Sequence, residues 1–120
     1  MTKTMNKQER IKKATAFLTR NGYALHATSP KRGIDLIVFK GNDPNTAIFV
    51  AVMPLKSKAF PMQPFRSKQG ELRYHSLMSG ASKWIGEVEW KGNIRFDTVT
   101  VHDTNGLIDH IENAVRAEGR

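Results

Sequence analysis

The chain has 120 residues, with nineteen Lys and Arg against eleven Asp and Glu, a formal net charge of +8, and 39% apolar residues. That length fits one domain over residues 1–120, and the apolar content argues against a disordered chain. No apolar run approaches the ~18 residues of a bilayer span, and the absence of cysteine excludes disulfides, thiolate metal sites and Cys nucleophiles.

Residues 1–5 are expected to fray. Met1–Lys13 is polar and basic, without the apolar core of a secretory signal, so a cytoplasmic location away from membranes is expected. Asn6 can cap a helix, and Glu9 three residues later closes a capping box. A helix is therefore expected over 6–20, with Ile11, Ala14, Phe17 and Leu18 as its apolar stripe. Asn21-Gly22 ends it. Tyr23–Thr28 reads as a strand, and Ser29-Pro30-Lys31-Arg32-Gly33 as a turn.

Two nearly continuous apolar runs follow, Ile34–Phe39 and Ala47–Met53, as expected of strands covered on both faces. Gly41–Asn45 between them is turn chemistry, so the two should form a hairpin and residues 23–53 should hold three strands. A hairpin centred on Asp43 puts position 35 across from position 51, and positions 51 and 53 share a face. Pro54 is expected to stop the strand, and Pro61 and Pro64 to keep the next stretch extended. A helix is expected over 67–85, with Tyr74, Leu77, Met78, Ala81, Trp84 and Ile85 on one face and Gly70 and Gly80 weakening it. Glu87–Trp90 reads as a minor strand and 94–102 as a clear one. A last helix is expected over 106–118, capped by Asp103-Thr104-Asn105, with Leu107, Ile108, Ile111, Ala114 and Val115 as its apolar face. The order α-β-β-β-α-β-α implies an α/β fold, one mixed sheet flanked by helices.

Charge is segregated. Lys3, Lys7, Arg10, Lys12, Lys13 and Arg20 crowd the first twenty residues; Lys56, Lys58, Arg66, Lys68 and Arg73 crowd a second stretch; the C-terminal stretch is acidic. Such a field steers polyanions, and nucleic acid is the first expectation. Phe60 and Phe65 in the second stretch either stack on bases or pack the loop. His26, His75, His102 and His110 lack metal-ligand spacing and read as core or solvated residues. Ser76 and Ser79 beside His75 lack a nucleophile elbow. Trp84 reads as core, and no glycine-rich phosphate loop supports nucleotide hydrolysis.

Asp35 stands out as a carboxylate in an apolar strand. Either it lies at the strand edge, paired with Arg32 or Lys31 or with turn N–H groups, or it belongs to a metal or phosphate site at the mouth of the sheet.

The α-β-β-β-α-β order, Gly33-Ile34-Asp35-Leu36-Ile37, Phe49-Val50-Ala51-Val52-Met53, the basic helix start Lys68-Gln69 and Arg95-Phe96-Asp97-Thr98-Val99 resemble the YraN-like proteins of the PD-(D/E)XK nuclease superfamily. Ala14, Leu18, Gly22 and Tyr23 fall at the family's helix-to-strand spacing, and the resemblance covers about residues 10–102. It implies a restriction-endonuclease-like αβββαβ core followed by the C-terminal helix. In the family, an acid on the first hairpin strand and an E-x-K pair on the second hold Mg²⁺ and activate water. Asp35 matches the first acid. The E-x-K positions are Ala51 and Met53, the helix-1 Glu falls at Ile11, and the Glu before Ile34 is missing. The resemblance therefore implies a vestigial site, with no cofactor expected, and with Mg²⁺ on Asp35 if activity is retained.

The expected function is a catalytically degenerate domain that binds DNA or RNA through Lys12, Lys13, Lys56, Lys58, Arg66, Lys68 and Arg73 without cleaving it. One alternative is a metal-dependent endonuclease in which Lys56 and Glu71 substitute for the missing groups. Another is an interaction module for an acidic protein. A homodimer is conceivable through the acidic last helix and the basic first helix of a second copy.

Overall fold

A computed structural model describes residues 5–55, 68–102 and 106–113, and the side chains of all of these except residues 55 and 68–71. Two helices and five strands follow one another: α1 (Lys7–Arg20), β1 (Tyr23–Thr28), β2 (Leu36–Lys40), β3 (Asp43–Leu55), α2 (Lys68–Val88), β4 (Asn93–His102) and β5 (Ile108–Ile111). The strands form one mixed sheet in the order β1-β2-β3-β4-β5. β3 and β4 run parallel, joined through α2, and the other neighbours are antiparallel. This is the expected α/β architecture.

Helix α1 starts where its capping box requires. The Asn6 side chain accepts from Glu9 N at 2.8 Å, and Glu9 returns by accepting from Asn6 N at 2.9 Å. Met5, expected to fray, instead packs against the core and accepts from Arg10 through its carbonyl at 2.6 Å. The stripe Ile11, Ala14 and Leu18 is buried against Leu36, Val38, Ile48, Val50, Val52, Val99 and Val101. Helix α2 covers the other face, where Leu77, Ala81 and Trp84 meet Ile34, Ile37, Ala47, Phe49 and Ala51. Strand residues therefore alternate between two apolar layers, which explains why Leu36–Phe39 of β2 and Ala47–Met53 of β3 hold no polar residue.

The β2–β3 register is the expected one. Leu36 pairs with Val50 and Ile37 with Phe49, and Asp35, one residue before β2, donates its N–H to Val50 O at 3.2 Å. The turn is shorter than expected: Lys40 pairs with Asp43, and only Gly41 and Asn42 lie between them. Asp43 organises the start of β3 by accepting from Asn45 N at 3.2 Å and Thr46 Oγ1 at 2.8 Å.

Three sequence expectations are corrected. Pro54 does not stop β3, which pairs with β4 as far as Leu55–His102. The N–H groups of even-numbered β3 residues point toward β2, as Val52 N shows by donating to Asp35. β2 pairing ends at Leu36–Val50, so the missing N–H of Pro54 removes no ladder bond. Glu87–Trp90 is no strand: α2 continues to Val88, Glu89 turns the chain at φ 56°, and Trp90 N donates to Ile85 O at 3.1 Å. The third correction is the helix expected over 106–118. Residues 108–111 are instead an edge strand antiparallel to β4, with His110 beside Val99. The chain reverses at Gly106, φ 73°, and His102 N donates to Leu107 O at 2.9 Å. Residues 103–105, the expected cap, and 114–120 lie outside the described residues. Among the described residues, no helix is long and apolar enough to cross a membrane.

Candidate functional site

Asp35 lies one residue before β2 and is 3% exposed. Its backbone N–H donates to Val50 O at 3.2 Å. Its side chain then continues the ladder past the end of β2, because Oδ2 accepts Val52 N–H at 2.7 Å. The second partner of Oδ2 is Arg73 of α2, whose Nη2 donates at 2.5 Å while its Nη1 donates to Gly33 O at 2.6 Å. Lys7, the first residue of α1, brings a second positive group to 3.6 Å from Oδ1. Asp35 is therefore a buried carboxylate compensated by an internal arginine. Lys31 and Arg32, the partners expected from sequence, do not pair with it: Lys31 pairs with Glu87 at 2.6 Å, and Arg32 is exposed.

Magnesium requires hard oxygen ligands in near-octahedral array. Ala51, fully buried, and Met53 on the same face offer no oxygen from their side chains. One Asp35 oxygen is already shared between an N–H and a guanidinium. Among the described residues no group of three or more His, Asp or Glu side chains converges. These residues do not fit the ion.

The expected basic contacts do not assemble into one surface among the described residues. Lys12 and Lys13 are exposed on α1, on one side of the sheet. Arg73 belongs to α2 on the other side and is committed to Asp35 and Gly33. Lys56, Lys58, Arg66, Phe60 and Phe65 lie outside the described residues, as do the side chains of Lys68 and Glu71.

A second buried carboxylate was not singled out from sequence. Asp97 of β4 is fully buried and accepts from Arg95 Nε at 2.9 Å, Arg95 Nη2 at 2.8 Å and Asn113 N at 2.9 Å, and pairs with His110 Nε2 at 2.8 Å. Burial pushes its pKa up, but the hydrogen bonds from His110, Arg95 and Asn113 outweigh burial and hold it below the ordinary aspartate value. Arg95 also reaches the Tyr23 hydroxyl at 3.3 Å, and that hydroxyl donates to Glu112 at 3.0 Å. Burial is the main cause raising the Tyr23 pKa. This network ties β5 to β4 and β1, and it holds the half-buried His110 against Asp97. The available signal was the Arg95-x-Asp97 spacing, which puts both side chains on one strand face. Trp84 is core, against Phe49 at 5.5 Å and Trp90 at 5.9 Å.

No protein-family model matches this chain, and no curated protein matches it.

Proposed function

We propose that this chain is a catalytically degenerate domain of the YraN-like, PD-(D/E)XK type, which binds DNA or RNA and does not cleave it. One observation carries the reading: the carboxylate at the mouth of the β2–β3 hairpin is held by Arg73, and Ala51, the next β3 residue past the last β2–β3 pair, brings no acid to it. A metal-dependent nuclease needs a second acid there and an accessible pair of oxygens. An internal guanidinium instead neutralises Asp35 and keeps the sheet end folded. The order of elements supports the resemblance, with an antiparallel β1-β2-β3 followed by α2 and a parallel β4. The net charge of +8 and the exposed Lys12 and Lys13 supply attraction for phosphate without base-specific contacts.

Fluorescence anisotropy with short labelled duplex and single-stranded oligonucleotides tests the reading. Binding should weaken steeply between about 50 and 200 mM salt, with log K falling by roughly 0.9 per phosphate contact on duplex. Absence of binding at the lowest salt, or affinity indifferent to salt, would refute it and favour an acidic protein partner.

A further inference from the structure

Away from Asp35, an open cleft of about 260 Å³ is lined by Arg32, His75, Ser76, Ser79 and Lys83. Helical spacing explains four of these. His75, Ser79 and Lys83 follow one another at four-residue steps on α2, and Ser76 lies beside them. Arg32 arrives from the turn between β1 and β2, and main-chain packing sets its place. A Cβ on Gly33 would lie 2.2 Å from Ser76 O, and one on Gly80 would lie 2.5 Å from Arg32 O. Turn and helix thus meet backbone to backbone, where only glycine fits.

The lining has one sign of charge. It holds a guanidinium, an ammonium, two hydroxyls and an imidazole, and no carboxylate. Glu87, one turn beyond Lys83, is already held by Lys31 at 2.6 Å. Neither Arg32 nor Lys83 has a carboxylate partner among the described residues. A forked guanidinium with hydroxyl donors beside it suits a tetrahedral oxyanion. The volume falls below the ~300–1,000 Å³ usual for whole organic ligands, so one phosphoryl group fits better than a complete nucleotide.

We propose that this cleft is a phosphoryl-binding site in which Arg32 and Lys83 supply the charge and Ser76 and Ser79 the hydroxyl donors. It deepens the nucleic-acid reading and rests on it where the phosphoryl group is a backbone phosphodiester; free phosphate is the other source of the same chemistry. Arg32 and Lys83 are exposed, so an R32A/K83A double variant of the full chain should keep its fold, checked by its thermal melt.

The experiment follows backbone amide NMR signals of wild type and variant during titration with inorganic phosphate and, separately, with a short duplex. Chloride at matched ionic strength is the control, and duplex affinity is measured in parallel. Both ligands should move the signals of Ser76, Ser79 and Lys83 in the wild type. The variant should lose the phosphate response and bind duplex about tenfold more weakly, roughly the worth of one charge-assisted hydrogen bond. Its salt slope should be smaller by about 1. A phosphate response lost in the variant, with duplex affinity unaltered or absent, assigns the cleft to free phosphate; absent duplex binding also overturns the nucleic-acid reading. Duplex binding that is equal in both proteins, with no phosphate response, overturns the cleft and leaves that reading standing. A chloride response equal to that of phosphate also overturns the cleft, as does no response to either ligand.

Discussion

Replacing Arg73 by Met should destabilise the protein far more than an ordinary change at a partly exposed helix position. The arginine side chain is 22% exposed and the Asp35 side chain only 4%. Removing one partner of a buried pair typically costs ~3–5 kcal/mol, because the remaining charge stays desolvated. Two features of this site reduce that figure. Asp35 keeps the Val52 N–H at 2.7 Å, and Lys7, on a 69% exposed side chain, is free to close in from 3.6 Å. Loss of the donor to Gly33 O adds back about 1 kcal/mol. The expected loss is therefore about 2–4 kcal/mol, read by urea denaturation with two probes. The double variant Asp35→Leu/Arg73→Met should recover most of it, since no charge is left buried without a partner. A loss below about 0.5 kcal/mol for Arg73→Met, the size of a neutral surface change, would refute the claim that this guanidinium compensates Asp35.

Gly33→Ala should cost about 3 kcal/mol or more, because φ is +94° and a Cβ would meet Ser76 O at 2.2 Å. Gly80→Ala should cost about 1–2 kcal/mol despite the ~1 kcal/mol helix-propensity gain, and a more stable variant would contradict the close approach. The depressed pKa of Asp97 means that its contribution to stability is fully present above about pH 4 and is lost as pH falls through the folded value. Denaturation midpoints of wild type and Asp97→Asn should thus converge on acidification, and parallel curves would count against the network. Thr98 Oγ1 is buried without a hydrogen-bond partner among the described residues, so Thr98→Val should be neutral or stabilising by about 1 kcal/mol in thermal melts, whereas a loss above ~1 kcal/mol would reveal a missed partner.

Features set by neighbours in sequence were legible in advance. The α1 capping box, the two apolar strands and the register pairing Leu36 with Val50 all follow from local pattern and turn position. Contacts distant in sequence were not. Arg73 lies 38 residues from Asp35, and it was read as a surface cation. A clue was present, since Arg73 precedes Leu77, Ala81 and Trp84 at helical spacing on the core-facing side of α2. Leu107, Ile108 and Ile111 fit a helical stripe as readily as an edge strand; the strand is held where His110 and Asn113 meet Asp97, 13 and 16 residues back. The effect of Pro54 depends on where β2 ends, which local propensity does not record. The Arg32–Lys83 cleft needs the turn and α2 in contact, an arrangement signalled only by glycines at 33 and 80.

The most direct test of a domain that binds nucleic acid without cutting it reads both properties in one sample. Labelled duplex and single strands are mixed with saturating protein in Mg²⁺ or Mn²⁺, binding is followed by anisotropy, and strand length is then read on a denaturing gel. The strands should be bound and remain intact, equally for wild type and Asp35→Asn. Cleavage by the wild type that disappears in Asp35→Asn, or no binding in low salt, would contradict this reading.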